Sequence, residues 1–213
     1  MPLDVLNLAE TELAAIEDDA LRPLAGSLKY LSLAGNPLEP GNLARVLTRY
    51  SAAKSLQDVA SDNFTDCNVS EASVPTRSET AQTAALPLTR LSIGEMSVGN
   101  LTQDMLAQFH HLLVLDAAFS DLEWIEPQLF NHLIRLETLH LEAGRLTVVE
   151  NLSALKNLRR IYLQRNRLRR VVVLADLYSL VFVDLSHNRI SHVPAFWLDG
   201  FRHLQVNLCR VHS

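Results

Sequence analysis

The sequence is short of cysteine. Cys67 and Cys209 are its only two, too few for a disulfide scaffold. It also lacks a long apolar run: none approaches the ~18 residues that a membrane-spanning helix needs. The opening MPLDVLNLAETEL has neither the basic start nor the unbroken apolar core of a signal peptide. What the chain does have is apolar residues in quantity, 48% of 213, on a net charge of −5. A chain of that length folds as one or two domains, and the arrangement of the apolar residues decides between them.

That arrangement is a repeat. LRRIYLQRNRLRRV begins at Leu158, and LVFVDLSHNRISHV begins at Leu180, 22 residues later. Leu158, Ile161, Leu163, Asn166, Leu168 and Val171 match Leu180, Val183, Leu185, Asn188, Ile190 and Val193. The frame is L-x-x-L-x-L-x-x-N-x-L. Copies start near 3, 28, 64, 88, 112, 136, 158, 180 and 204, which makes nine, the last one truncated. The frame is already running at Leu3, so the chain is expected to begin inside an array. One array over 1–213 replaces any division into domains, since each repeat touches only its neighbours. An irregular insertion covers about 40–62. Within it Leu43, Val46, Leu47 and Tyr50 fall at helical spacing, with Asn42 as the expected N-cap. The third copy can start at Leu56 or at Phe64. Phe64, Cys67, Val69, Ala72 and Val74 fit better and restore a 24-residue step to Leu88. Residues 70–86 then form a polar outer loop. Cys67 and Cys209 stand about six repeats apart. At roughly 4.8 Å per strand that is ~30 Å, well beyond the ~7 Å a disulfide spans, so they are not expected to pair.

Residues two apart on a strand share a face, so the second and third apolar positions of each copy point into the coil. The Asn stands where the chain leaves the strand, and its amide can bond backbone groups that the turn leaves open. Thr11, Ala72, Met96, Ser120 and Gly144 replace it elsewhere, which predicts more irregular turns in the middle copies. A self-similar period of this length resembles the leucine-rich repeat superfamily. The fold class it implies is an α/β solenoid. A curved parallel β-sheet lines the concave side, and short helices, 3-10 turns or extended segments line the convex side. The 24-residue steps, with Pro194, Leu198, Gly200, Phe201 and Leu204 before the last copy, resemble the extracellular type found in Toll-like receptors, chaoptin-like adhesion proteins and small proteoglycans. The 22-residue steps also occur in intracellular signalling repeats. The resemblance implies a non-enzymatic module that binds a partner on its concave sheet. The partner would be a protein ligand or receptor partner, the location extracellular or at the cell surface, with a cytoplasmic scaffold or signalling regulator as the alternative.

Four N-x-S/T sequons, at Asn63, Asn68, Asn100 and Asn151, favour the secretory route. In this register Asn68 lies on the concave strand, and Asn100 and Asn151 lie on the outer side. The central column of the concave face reads Asn7, Ser32, Asn68, Ser92, Asp116, His140, Tyr162 and Asp184. The early copies present small residues. The later ones present His140, Glu142, Arg160, Tyr162, Gln164, Phe182 and Asp184, including the Tyr and Arg types that dominate binding hot spots. A partner is therefore expected across copies six to eight, against the plainer expectation of a solvated sheet.

The second constellation is basic. Lys156, Arg159, Arg160, Arg165, Arg167, Arg169 and Arg170 are not interrupted by any acid. Such a patch attracts an acidic glycan or an acidic protein. The lack of an aromatic platform beside it speaks against nucleic acid. The plainer expectation is a solvated rim, spread over several faces and paired with Glu137, Glu142 and Asp184. Asp184, Ser186 and His187 have the residue types of a hydrolase triad, but they are simply the strand exit of one copy. His140 and Glu142 share a face without a third metal ligand at suitable spacing. No enzyme, cofactor or metal is therefore expected.

Overall fold

The computed structural model describes residues 2–60 and 86–209. Ten strands lie among them. In chain order they are β1 (Val5–Asn7), β2 (Tyr30–Ser32), β3 (Arg90–Ser92), β4 (Asn100–Leu101), β5 (Val114–Asp116), β6 (Trp124–Ile125), β7 (Thr138–His140), β8 (Arg160–Tyr162), β9 (Phe182–Asp184) and β10 (Gln205–Asn207). Eight of them form one parallel sheet in the order β1-β2-β3-β5-β7-β8-β9-β10, and β4 and β6 pair in a small second sheet. The opposite side carries helix α1 (Pro40–Ala60), helix α2 (Gln103–Leu106) and 3-10 turns at Arg22–Leu24, Leu129–His132 and Leu152–Ala154.

Each strand of the main sheet is only three residues long, and its middle residue is the second apolar position of the frame. Leu31, Leu91, Leu115, Leu139, Ile161 and Val183 are all at most 1% exposed. The third apolar position follows them inward, at Leu33, Ile93, Ala117, Leu141, Leu163 and Leu185. The residues on either side of each middle position face the concave surface, as a period of two requires. At the first copy the packing is thinner: Leu3 and Val5 are exposed, and Leu6 and Leu8 are only partly buried.

The turns are more uniform than the varied Asn position predicts. Among the described repeats the residue before that position is left-handed. The φ angles are 55° at Glu95, 54° at Phe119 and 55° at Ala143, beside 58° at Arg165 and 54° at His187. The reason lies in the backbone. The N–H of each of these residues donates to a carbonyl in the next repeat: Glu95 to Ala118, Phe119 to Glu142, Ala143 to Gln164, Arg165 to Ser186 and His187 to Cys209, at 2.8 to 3.1 Å. Hydrogen bonds between successive turns set the exit geometry, with or without an Asn.

Where the Asn is present, it fastens its repeat to the one before. Asn166 Nδ2 donates to Leu141 O at 2.7 Å and to Leu163 O at 3.1 Å, and its Oδ1 accepts the Leu146 N–H at 3.0 Å. Asn188 does the same for Leu163, Leu185 and Leu168. Asn36 does it for Leu8, Leu33 and Leu13. Ser120 replaces part of this with a 2.8 Å bond to Ala117 O.

Helix α1 confirms the apolar spacing in the insertion: Leu43, Val46, Leu47 and Tyr50 are all buried. Asn42 is not its N-cap. The helix starts at Pro40, whose fixed φ suits the first helical position, and Asn42 already lies in the first turn. Its side chain reaches back to the first repeat, accepting Ile16 N–H at 3.0 Å and donating to Ile16 O at 2.8 Å. Tyr50 packs against Phe109, ring centroids 5.9 Å apart. The copy placed at Phe64, with Cys67, lies outside the described residues, as does the polar loop. The sheet itself passes directly from β2 to β3, with Tyr30 to Ser32 paired to Arg90 to Ser92. The expected column therefore runs from Ser32 straight to Ser92, with no strand inserted between.

Candidate functional site

Strand register brings the concave residues of repeats six to eight together. His140 is paired with Tyr162, and Tyr162 with Asp184; in the neighbouring row Thr138, Arg160 and Phe182 are paired in the same way. Adjacent rungs of a parallel sheet are ~4.8 Å apart, which is stacking distance for planar rings. The His140 and Tyr162 rings stack with centroids 4.4 Å apart and planes 2° from parallel. Phe182 extends the ladder, 5.2 Å from Tyr162 at 45°. All three rings are half-buried and are ordered by one another, which leaves part of each ring exposed on the concave surface.

Beside the ladder lies a polar pair. His140 Nδ1 is 3.3 Å from Glu142 Oε1, which makes Nδ1–H the donor. The Glu142 side chain is 12% exposed. Its Oε2 and Gln164 Oε1, on the next rung, are buried, and no donor among the described residues reaches either. Arg160 is exposed at the edge of the ladder.

Asp184 has a role that the column alone does not reveal. Its Oδ1 accepts the Ser186 N–H at 2.9 Å, and its Oδ2 accepts from Asn207 Nδ2 at 3.2 Å. Asp116 likewise accepts from Ala118 N–H and from Ser92 Oγ. Asn7 and Asn207 take the N–H of Ala9 and Cys209. An Asx side chain bonding the backbone two residues on is a local turn device. The D-x-S and N-x-A spacings carried that signal in the sequence. These bonds give Asp184 and Ser186 a structural explanation, with Ser186 buried in the strand exit. Among the described residues no three His, Cys, Asp or Glu side chains gather as metal ligands.

The arginines divide. Arg160 faces the concave side, Arg159 is exposed next to it, and Arg165 is the exposed left-handed residue of its turn. Lys156 is 3.6 Å from Asp176. Arg167, Arg169 and Arg170 do not scatter. Together with Arg189, which the run of seven leaves out, they line one groove of ≈ 550 Å³ on the flank where the chain leaves the sheet. Among the described residues none of these four makes a salt bridge, so the expected pairing with Glu137, Glu142 and Asp184 does not occur. Of the sequons, Asn100 and Asn151 are exposed and lie off the concave sheet. Asn151 Nδ2 donates to Pro127 O at 3.2 Å. Asn63 and Asn68 lie outside the described residues.

A family profile described as "Leucine rich repeat" matches residues 134–190. These are the repeats that hold the ladder. No curated protein matches the chain. Among solved structures, the APL1 leucine-rich repeat domain aligns at TM-score 0.60 with 18% identity, covering 98% of this chain and 56% of that one. An internalin C2 from Listeria monocytogenes aligns at TM-score 0.60 with 16% identity, covering 96% of this chain and 80% of that one. The chain thus spans little more than half of the first of these. In all, 285 chains match, so the likeness identifies an architecture and no single activity. The architecture is a leucine-rich-repeat solenoid.

Proposed function

We propose that the chain is the binding part of a cell-surface or secreted leucine-rich-repeat receptor or adhesion protein, and that a protein partner docks on the concave face of repeats six to eight. The observation that carries this is the His140–Tyr162–Phe182 ladder. Ordered, half-exposed aromatic rings give contact area at little entropic cost, which is why such residues dominate hot spots. Glu142 and Gln164 add buried acceptors beside it. A buried acceptor is costly until a donor reaches it, so the favoured partner brings an ammonium or guanidinium group to the ladder. The mechanism is recognition by a rigid surface, without a chemical step.

The extracellular setting rests on the sequons, two of which are exposed away from the ladder, and on the Pro194–Leu204 approach. Intact mass before and after glycosidase treatment, on material from secretory insect or mammalian cells, tests it. A fall in mass is expected; an unchanged mass would favour the intracellular alternative that the 22-residue steps suggest. The site is tested by affinity capture with the wild-type chain, followed by Tyr162→Ala. Capture should weaken by more than ~1 kcal/mol. Undiminished affinity moves the site away from the ladder.

A further inference from the structure

The groove on the exit flank is separate from the concave sheet, and its chemistry is different. Arg167 and Arg189 occupy the same position of successive repeats, their N–H groups bonded to Leu146 O and Leu168 O at 2.9 and 2.8 Å. They are therefore one rung, ~4.8 Å, apart. The preceding member of that column, Arg145, is neutralised by Glu123 at 3.1 Å. Arg167 and Arg189 are not, and Arg169 and Arg170 join them around the groove with only Glu150 as a counter-charge. Four like charges held together on a chain of net charge −5 form a local positive potential that an anionic partner relieves.

The lining is not only charged. Val148 and Val173 are 57% and 71% exposed, while Val149 and Val172 beneath them are buried. Both exposed valines face the same groove as the arginines. The groove is lined by the exit segments of three successive repeats, six, seven and eight. Carboxylates meet guanidinium forks in bidentate geometry, and apolar side chains between them cover the valines. A sulfated glycan supplies the charge but leaves the valines wet. We propose that this groove is a second docking site, which takes an acidic protein segment whose carboxylates flank an apolar side chain.

Fluorescence anisotropy on the full chain tests this with three labelled probes: a short peptide of Glu residues flanking Leu, the same peptide with Ser for Leu, and a heparin fragment. The Glu/Leu peptide should bind, more weakly as salt rises, and the Glu/Ser peptide about tenfold more weakly, because one buried aliphatic side chain supplies that difference. Arg167→Glu with Arg189→Glu should abolish binding. Val173→Ser should bring the Glu/Leu peptide down to the Glu/Ser level. If circular dichroism shows that the charge-reversed double variant is unfolded, Arg167→Gln with Arg189→Gln replaces it and should lose at least about tenfold. Tyr162→Ala should leave all three probes unaffected, which separates this groove from the concave site. The proposal is overturned if neither peptide binds, or if the Arg variants bind as well as wild type. It is also overturned if heparin and the Glu/Ser peptide match the Glu/Leu peptide while Val173→Ser has no effect; the groove is then a bare polyanion site.

Discussion

At the scale of the residue, the frame's Asn is a clamp between repeats. Asn166→Ala strands Leu141 O, Leu163 O and Leu146 N–H in a buried turn. At about 1 kcal/mol or more for each group left unpaired, the expected loss is ~3 kcal/mol, read as a lower urea midpoint. A loss below ~1 kcal/mol would mean that the inter-turn backbone bonds alone hold this repeat. A missing Asn, by contrast, is not an empty slot. A Cβ on Gly144 would sit 3.0 Å from Asn166 Oδ1 and 3.3 Å from Leu122 O, because the turn has closed around the glycine. Tyr50 is the other residue whose state the sequence conceals. Its hydroxyl is buried with no partner among the described residues, and burial raises its pKa well above the ordinary 10.0. The unfolded phenol therefore loses its proton first as pH rises past that value, and stability falls from there upward, with no contribution below it. Tyr50→Phe should gain about 1 kcal/mol at neutral pH by removing an unpaired hydroxyl. It should also flatten the alkaline decline. Denaturant midpoints for both proteins, at neutral pH and above the tyrosine range, check the two effects together; parallel declines would show that Tyr50 does not titrate differently on folding.

At the scale of the element, turn and strand are specified unequally. A non-glycine residue in the left-handed region costs about 1 kcal/mol or more, and the exit turns of repeats four to eight each place one there. Ala143 has almost no side chain to lose, so Ala143→Gly should raise stability by ~1 kcal/mol, less the extra entropy glycine gives the unfolded chain. A destabilisation in thermal melting would show that the inter-turn bond from Ala143 to Gln164 had shifted instead. These turns were not legible in the sequence because the residue types that fill them, Glu95, Phe119, Ala143, Arg165 and His187, have nothing in common. The strands were legible. A buried middle residue flanked by two exposed ones leaves a period that composition cannot mask, and so His140, Tyr162 and Phe182 could be placed on one face before any coordinates. That their rings stack, and that Asp184 is held by its own turn, depend on rotamers and local bonds that the period does not encode. The interval between β2 and β3 was hard to read for a different reason. Tyr30 and Arg90 are partners in the sheet although 60 residues apart, and a search for a steady step divides such an interval into 36 and 24. The 21-residue helix α1 lies within that interval, on the side away from the strands. Arg189 was missed by contiguity: it lies 19 residues beyond Arg170 in the chain, yet one rung from Arg167 in space.

At the scale of the whole molecule, stability belongs to neighbours. In a solenoid each repeat is held by its own packing and by two interfaces, so a rung with one neighbour opens at lower free energy than a rung with two. Among the described residues β1 and β10 each pair on one side only, and their middle residues, Leu6 and Val206, are half-buried. Leu115, Leu139 and Ile161 are fully buried, and the Asn166 and Asn188 clamps tie repeats six, seven and eight together. Amide hydrogen exchange followed by mass spectrometry should therefore show a gradient. Peptides covering Val5–Asn7 and Gln205–Asn207 exchange first, and those covering β5, β7 and β8 exchange last, near the rate of global unfolding. The concave ladder and the flank groove both lie at or next to this protected region, where rotamers are held best and a recognition surface is most rigid. Asn166→Ala should steepen the gradient by loosening repeats six and seven while leaving β1 unchanged. Uniform protection along all eight strands, in wild type and variant alike, would mean that the array opens as one cooperative unit. The rigidity of the proposed binding surface would then come from the whole sheet and not from the clamps around it.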